Sequence, residues 1–177
     1  MYLSIDPGTT NCGIVIFQKE STMLLINDEF VEENSMAYKV LYSATLNLRQ
    51  LSHSASIFDM TNYLISHLKD LKTQFWFNKL FIERQMKAAA HQMYNSSLHN
   101  CCVETAVTSF AISIDIPYNV VQAVGWNQYH ELTGLHKSVR LYQRMQLLQN
   151  ISNREKLKKV HEWDCCLIAL YGTISSS

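Results

Sequence analysis

Three acidic residues and a histidine occupy positions at which a shared metal site could form. Asp6 ends the first apolar run of the chain, and Glu83 ends another such run. His161 and Asp164 lie three residues apart at the start of a later apolar segment, so a helix there would carry both on one face. Carboxylates at the ends of buried strands are costly unless a cation compensates them, and Mg²⁺ and Mn²⁺ prefer carboxylate and water oxygens. The pattern predicts that these four residues bind divalent metal ions.

Two such ions can cut a phosphodiester. Held about 4 Å apart, they activate a water molecule and stabilise the leaving 3′-oxygen. His161 would either bind one ion or orient the attacking water. Taken singly, each residue also fits a plainer role, because a strand-end Asp is often a turn residue and a helix-start His is often a cap. Their combination, in this order, favours the metal site, whereas Glu162 is rotated away from it.

The surrounding sequence predicts the strands and helices that position these residues. Apolar runs predict three strands joined by tight turns and two later strands, at 2–6, 12–18, 22–26, 79–83 and 118–123. Apolar residues at helical spacing predict helices at 55–73, 96–114, 138–149 and 160–174. The segment 28–50 carries no clear pattern, and the acidic stretch formed by its residues Asp28, Glu29, Glu32 and Glu33 is predicted to be a loop or an insertion. The order βββαβαβαα predicts a five-stranded mixed sheet, three antiparallel strands and then two parallel ones, flanked by helices on both faces. Function is expected at the carboxyl ends of its strands.

Length and composition describe an ordinary globular chain. The 177 residues predict a single domain spanning 1–177. Apolar residues make up 47% and charged residues 17%, which excludes a disordered chain. No membrane-spanning run and no signal peptide are found, so we expect an intracellular protein. The five cysteines include no C-x-x-C pattern, which argues against a zinc ribbon or a redox motif and favours packing roles.

The net charge of the chain is zero, but the charges are unevenly distributed. Residues 137–159 contain seven basic residues and one acid, a local excess that fits phosphate binding. The alternative is that these residues form a solvated charged face. For Arg140 and Arg144 this alternative and phosphate binding have equal weight. The candidate DNA-binding residues are Arg84, Lys87, Lys137, Arg140, Lys156, Lys158 and Lys159. Three aromatic residues are candidates for stacking on bases, namely Tyr94, Trp126 and Tyr129. Packing in the core or at an interface is nevertheless the favoured role for each of them.

Three segments resemble the motifs of RuvC-type Holliday junction resolvases. They are Ile5-Asp6-Pro7-Gly8-Thr9-Thr10-Asn11-Cys12-Gly13, Phe81-Ile82-Glu83-Arg84-Gln85 and His161-Glu162-Trp163-Asp164-Cys165-Cys166-Leu167-Ile168-Ala169. The first is similar to the first-strand motif of that family, the second to its central-strand motif and the third to its last-helix motif. The resemblance covers nearly the whole chain in order and spacing, and it looks closest to the poxvirus and large-DNA-virus branch. It implies the ribonuclease-H-like fold.

The same resemblance implies an activity in DNA recombination and repair. A Mg²⁺-dependent endonuclease, in which Mn²⁺ can substitute, would act as a homodimer on a four-way junction. Each subunit would nick one of two opposed strands and leave 5′-phosphate and 3′-hydroxyl ends. Asp6, Glu83 and Asp164 would be metal ligands. His161 stands where many members have Asp, and Lys137 matches a basic position that members place near the scissile phosphate. A viral member would act in the cytoplasm or nucleus of an infected cell.

The helix predicted at 96–114 is the candidate dimer interface. One of its faces carries mostly small side chains, namely Leu98, Cys101, Cys102, Thr105 and Ser109, with Ile112 continuing it. This face either packs on the sheet of its own subunit or forms the two-fold interface that the resemblance implies. A two-fold enzyme would suit a two-fold-symmetric junction.

Two other classes of protein are open alternatives. The segment Asp6-Pro7-Gly8-Thr9-Thr10-Asn11 also resembles the first phosphate loop of sugar kinases, actin and heat-shock-70-like ATPases. That architecture needs two subdomains, a second phosphate loop and an adenosine motif, which 177 residues do not supply. A noncatalytic domain that holds branched nucleic acid is the second alternative, against which the three carboxylates argue. Within the nuclease class, flaps, forks and RNA–DNA hybrids are alternative substrates. Neither a nucleotide cofactor nor a membrane partner is expected.

Overall fold

The structure of the protein, a computed structural model, describes residues 1–26, 29–51, 55–85 and 94–175. Its strands are β1 (Tyr2–Asp6), β2 (Cys12–Ile26), β3 (Glu29–Leu46), β4 (Lys79–Glu83), β5 (Tyr118–Val121) and β6 (Ile151–Ser152). Its α-helices are α1 (Ile57–Gln74), α2 (Tyr94–Ser113), α3 (Ala123–Tyr129), α4 (Lys137–Leu147) and α5 (Val160–Ile174). Short 3₁₀ helices occur at Leu48–Leu51 and Arg154–Lys156.

The described strands form a mixed sheet with the order β5-β4-β1-β2-β3-β6. β1, β2 and β3 pair antiparallel in chain order, whereas β4 lies parallel to β1 on its other side and β5 lies parallel to β4. A helix precedes each of these parallel strands, α1 before β4 and α2 before β5, as parallel pairing requires a crossover connection. The carboxyl ends of β1, β4 and β5 therefore meet at the same end of the sheet.

Side-chain alternation along the strands divides the core between the two faces of the sheet. Ile5 of β1 and Ile82 of β4 are fully buried in the core that α1 and α2 complete. Phe81 of β4 is buried in the opposite core, which α5 completes. Because successive strand residues point to opposite faces, Asp6 and Glu83 project to the face that carries α5.

The spacing of apolar residues along the helices determines which helix face packs on the sheet. α1 is capped by Ser56, whose hydroxyl and backbone form a capping box with Asp59. The buried face of α1 consists of Met60, Leu64, Leu68 and Leu71. On the other side of the sheet, residues 164–169 of α5 are all buried, because α5 packs on the sheet and also contacts α3 and α4. None of the helices in the described part of the chain has the length and apolarity to cross a bilayer.

The prediction of a loop or an insertion for the acidic stretch at 28–33 is wrong, because residues 29–33 belong to strand β3, which fills most of the segment 28–50. β3 pairs with β2 along its length, and the separate strand predicted at 22–26 is the second half of β2. Gln18 and Lys19 are exposed in mid-strand, and the register of the pair shifts nearby. These polar residues interrupt the apolar run, so the sequence pattern divides one long strand into two. Asp28 lies outside the described residues.

The sequence also does not predict β6 and α3. β6 has two residues and pairs parallel with β3, which makes the described sheet six-stranded instead of five-stranded. A strand of two residues is too short to produce a hydrophobic periodicity in the sequence. α3 begins at Ala123, where the prediction still has strand. The other predicted strands and helices that the structure describes agree with it to within two residues at each end, except for the late end of β2.

Candidate metal centre

The ends of β1 and β4 bring two carboxylates side by side. Ile5 of β1 lies opposite Ile82 of β4 in this parallel pair. The next residue of each strand, Asp6 and Glu83, therefore occupies a neighbouring position, with about 4.8 Å between the two strands. On its other side, Asp6 pairs with Gly13 of β2.

Two glycines allow α5 to approach this end of the sheet closely. A Cβ atom at Gly13 would lie 2.5 Å from the carbonyl oxygen of His161, which is too close for any side chain. Further along the helix, a Cβ atom at Gly172 would collide with the ring of Phe81. The absence of side chains at these positions lets the first turn of α5 lie beside the end of β1.

α5 adds His161 and Asp164 to the carboxylates of the strands. Nδ1 of His161 donates a hydrogen bond of 2.7 Å to Oδ2 of Asp6. Asp164 follows on the same helix face and is buried. One ligand atom each from Asp6, His161 and Asp164 lie within 4.8 Å of one another. At this spacing a single divalent ion can contact all three side chains.

Glu83 approaches the same group from β4. Its Oε1 accepts a hydrogen bond of 2.9 Å from Nε1 of Trp126, and its Oε2 accepts one of 3.3 Å from Nε2 of Gln85. Burial raises the pKa of Glu83 to about 8, and the charge of Asp6 acts in the same direction, whereas the Trp126 hydrogen bond opposes both. A cation would favour the ionised form that this environment disfavours.

Asp164 faces a cation of α4. Its Oδ1 lies 2.8 Å from Nε of Arg144. The N–H bond of Nε does not point at this oxygen, because neither atom makes a hydrogen bond to any described residue. Burial raises the pKa of Asp164 to about 7, and the charge of Arg144 lowers it in part. Arg144 therefore offsets charge in the centre without satisfying the buried carboxylate.

One face of α2 holds the loops that follow β1 and β4. Oδ1 of Asn100 accepts a hydrogen bond of 3.2 Å from the backbone N–H of Thr9. Oε2 of Glu104 accepts one of 2.7 Å from the backbone N–H of Gln85, and Oε1 of Glu104 lies 3.3 Å from Nε of Arg84. Asn100 and Glu104 are one helical turn apart. α2 thus fixes the relative position of the two loops beside the carboxylates.

The structure brings together four of the predicted site residues, Asp6, Glu83, His161 and Asp164. Lys137, a predicted catalytic and DNA-binding residue, is exposed at the first position of α4. The remaining predicted DNA-binding residues that the structure describes are Arg84, Arg140, Lys156, Lys158 and Lys159. Arg84 is paired with Glu104, and the three lysines are exposed before the first turn of α5. Lys87 lies outside the described residues.

Three supporting residues of the centre are not found by sequence reasoning. Trp126, a candidate for stacking on bases, is 3% exposed and holds Glu83. Glu104 carries no motif that would mark it. Arg144 is considered only as a phosphate contact or as part of a solvated charged face, although its spacing from Lys137 and Arg140 places all three on one side of a helix.

Glu162 lies outside the group of carboxylates, on the far side of the α5 N-terminus. Its Oε2 accepts a hydrogen bond of 2.6 Å from the backbone N–H of Lys158, and its Oε1 accepts one of 2.9 Å from the hydroxyl of Thr45. These contacts tie the start of α5 to β3 and give Glu162 a structural role.

The order and direction of the strands, with helices on both faces, define the ribonuclease-H-like fold, so the predicted fold class is confirmed. The chain matches no protein-family model and no curated protein sequence. It does resemble solved structures of RuvC-type resolvases, which confirms the resemblance of the motifs at the level of the fold.

RuvC of Thermus thermophilus, solved in complex with a Holliday junction substrate, is 14% identical, with a TM-score of 0.69 over 99% of this chain and 93% of that one. The yeast mitochondrial Holliday junction resolvase Ydc2 is 16% identical, with a TM-score of 0.63 over 96% of this chain and 77% of that one. Fowlpox virus resolvase, solved with its substrate Holliday junction DNA, is 13% identical, with a TM-score of 0.57 over 99% of both chains.

Proposed function

We propose that this protein is a divalent-metal-dependent endonuclease, with a single nuclease domain over residues 1–177, that resolves four-way DNA junctions. The observation that carries the proposal is the group formed by Asp6, His161 and Asp164, whose ligand atoms lie within 4.8 Å of one another at the strand ends of a ribonuclease-H-like fold. The two structural neighbours solved with Holliday junction DNA support the choice of substrate.

The residues of the centre fit divalent cations such as Mg²⁺ and Mn²⁺. The donor set consists of three carboxylates and one imidazole, which suits hard ions that prefer oxygen ligands. Oδ1 of Asp164 is buried and makes no hydrogen bond to any described residue, although Nε of Arg144 lies 2.8 Å away, so this oxygen is an incompletely satisfied acceptor. The thiols of Cys12 and Cys165 lie nearby, but burial raises the pKa of each, so neither offers a thiolate. We propose that Asp6, Glu83, His161 and Asp164 hold two ions.

Bound ions would supply the activation of a water molecule and the stabilisation of the leaving 3′-oxygen, giving 5′-phosphate products. The side chains of the centre orient this chemistry. Glu83 is held by Trp126 and Asp6 by His161, so both carboxylates have fixed directions. Fixed ligands lower the reorganisation that the reaction requires.

His161 is placed to accept a proton during the reaction. Its Nδ1–H is directed at Asp6, so Nε2 of the neutral ring is a proton acceptor. The hydrogen bond to Asp6 raises the pKa of His161, while burial opposes this. The side chain is 38% exposed, so the ring can reach substrate or water outside the centre. We propose that His161 either binds an ion directly or takes the proton of the attacking water at Nε2.

The proposal includes a homodimer formed through α2. Leu98, Thr105, Ser109 and Ile112 are exposed on this helix, whereas Val103, Val107 and Phe110 pack on its own subunit. Two active sites related by a two-fold axis would cut opposed strands of a junction symmetrically. Sedimentation of the protein at micromolar concentration measures the oligomeric state, and a monomer with full junction cleavage would contradict this part of the proposal.

The decisive experiment incubates the protein with a labelled immobile four-way junction in Mg²⁺, Mn²⁺ or EDTA. A linear duplex, a flap, a fork and an RNA–DNA hybrid serve as competing substrates. Asp6→Asn and Glu83→Gln remove charge from the centre, and Asp70→Asn, at an exposed position of α1, is the matched control. We expect paired nicks at symmetric positions that require metal, that are lost in both centre variants and that persist in the control.

Other outcomes separate the alternatives. Metal-dependent cutting that prefers flaps or hybrids would keep the centre and change the substrate. Tight junction binding without cutting in either metal would favour a noncatalytic binding protein. Strong ATP binding without junction binding would favour the ATPase alternative. Cutting that persists in Asp6→Asn and Glu83→Gln would place the active site elsewhere.

A further inference from the structure

Two arginines of α4, Arg140 and Arg144, lie close enough to the candidate metal centre for their charges to act on it. Arg140 and Arg144 lie one turn apart on this helix, and the charges of both act on the Asp164 carboxyl group. The side chain of Arg144 is only 14% exposed, and that of Asp164 is 12% exposed. The exposed apolar residues of α4 are Val139, Leu141, Tyr142 and Met145. A buried arginine against a candidate metal ligand calls for a physical explanation.

The contact between Arg144 and Asp164 is short but incompletely bonded. Nε and Oδ1 are 2.8 Å apart, yet neither atom makes a hydrogen bond within the described part of the chain. Nε of Arg140 is likewise buried without a hydrogen-bond partner there. Buried N–H groups without acceptors are rare in folded proteins, because each loses its hydration. Both guanidinium groups therefore have a buried donor without an acceptor among the described residues, and both charges act on Asp164.

We propose that Arg144 is an exchangeable counter-ion: it occupies Asp164 in the metal-free protein, leaves when a divalent ion binds there, and then contacts a phosphate of the DNA. This inference rests on the proposed function. A guanidinium stays protonated at every relevant pH, so it can leave a carboxylate only by moving. A divalent ion at Asp164 would repel a guanidinium group held this close.

The phosphate backbone is the natural destination of the displaced side chain. A guanidinium pairs with a phosphate through two parallel N–H bonds, and such a pair would use the donors that Asp164 leaves unsatisfied. Arg140, one turn away, offers a further N–H to the same anion. Metal binding would in this way raise the affinity of α4 for DNA, and DNA binding would in turn raise the affinity of the centre for metal.

Metal affinity in the absence of DNA tests the first half of the inference independently of nuclease activity. Mn²⁺ binding is titrated by the loss of the electron paramagnetic resonance signal of the free ion, for the wild-type protein and Arg144→Gln. We expect the variant to bind Mn²⁺ roughly threefold to tenfold more tightly, since a competing cation has been removed. Arg154→Gln, which removes a charge from an exposed 3₁₀ helix, is the control and should match the wild-type protein.

Junction affinity tests the second half of the inference, the contact between Arg144 and a phosphate of the DNA. With Ca²⁺ in place of Mg²⁺ to suppress cutting, Arg144→Gln should bind the junction roughly threefold to tenfold more weakly than the wild-type protein, because it lacks one phosphate contact. In EDTA, where Arg144 remains on Asp164, the two proteins should bind alike. Arg144→Lys keeps a cation with a shorter reach, so its Mn²⁺ affinity should fall between the other two, and it keeps the test valid if Arg144→Gln does not fold.

The possible failures are distinguishable. Equal or weaker Mn²⁺ binding by Arg144→Gln would show that Arg144 only orients Asp164, and would overturn the inference while leaving the proposed nuclease intact. Tighter Mn²⁺ binding with unchanged junction affinity in Ca²⁺ would overturn the phosphate half. Absence of Mn²⁺ binding in the wild-type protein and in every variant would overturn both the inference and the proposed metal centre.

Discussion

Replacing Trp126 with Phe would remove one hydrogen-bond donor from the metal centre while keeping an aromatic ring in the core. Trp126 is 3% exposed, and its Nε1 donates to Oε1 of Glu83 at 2.9 Å. The indole belongs to α3, whereas Glu83 ends β4, so the bond connects two separate elements of the fold. In the proposed nuclease Trp126 would be a positioning residue, because it contacts the centre through the carboxylate that it holds.

The size of the effect follows from the partners that Glu83 would retain. A hydrogen bond to a charged group contributes about 1.5–3 kcal/mol, and removal of a residue that orients a metal ligand commonly lowers metal affinity or activity by about 10-fold to 100-fold. Glu83 keeps its contact with Gln85, but at 3.3 Å this bond is weak. We therefore expect Trp126→Phe to weaken Mn²⁺ binding roughly 10-fold to 30-fold.

The same variant should change the pH dependence of metal binding in a direction that the structure determines. The Trp126 hydrogen bond lowers the pKa of Glu83, which burial and Asp6 raise to about 8. Without this bond the pKa of Glu83 rises further, so a higher pH is needed to ionise the ligand. The acid limb of the Mn²⁺-affinity profile should move to higher pH.

The assay is Mn²⁺ titration across the neutral range, with circular dichroism to establish folding. Trp163→Phe is the control, since that indole donates to the carbonyl of Leu157 at 3.3 Å and not to Glu83. It should leave both the affinity and the pH profile unchanged. A folded Trp126→Phe protein with wild-type Mn²⁺ affinity and an unshifted profile would refute the idea that Trp126 positions Glu83.

Two further predictions concern stability. Gly13→Ala should lower the free energy of unfolding by about 1–3 kcal/mol, because its Cβ would lie 2.5 Å from the carbonyl oxygen of His161. Urea denaturation measures this loss, with Gly125→Ala as the control, because a Cβ at Gly125 meets only the end of the Tyr171 side chain. Equal losses in the two variants would contradict the prediction. Stability of the metal-free protein should fall as pH rises from about 5 to about 8, by up to about 1.4 kcal/mol per pH unit for each of the buried groups Glu83 and Asp164, since folding raises their pKa values and the folded state then holds more protons than the unfolded one; the raised pKa of the partly exposed His161 acts in the same direction. Thermal unfolding in EDTA and in Mg²⁺ checks this: stability that rises over this window in EDTA, or that Mg²⁺ leaves unchanged, would count against it.

The parts of the site that the sequence predicts are those carried by local patterns. Asp6 and Glu83 stand out because a charged residue at the end of an apolar run violates the pattern of that run. His161 and Asp164 are linked by helical spacing alone. Each of these signals spans a few residues, so no knowledge of the fold is needed to see it.

The parts that the sequence does not predict depend on long-range packing. Trp126 and Glu83 are 43 residues apart, and their contact exists only because α3 follows β5 at the end of the sheet where β4 stops. The β2–β3 ribbon is missed for a different reason. Its residues Gln18 and Lys19 are exposed on strand β2, so the apolar alternation that marks a buried strand ends before the strand does.

The charges of the centre link the stability of the fold to the cation that we propose it binds. Among the described residues, the partners of the three carboxylates include an indole, an amide, an imidazole and the guanidinium of Arg144, and Glu83 and Asp6 also contact each other. Two of the carboxyl groups have pKa values raised into the neutral range, so the metal-free centre must hold protons or lose stability. A divalent ion would replace those protons and stabilise the folded state by its binding free energy. If the centre instead served only to pack α5 on the sheet, three apolar residues would do so at lower electrostatic cost. The retention of buried, incompletely bonded carboxylates therefore argues for a cation as the ligand of this site.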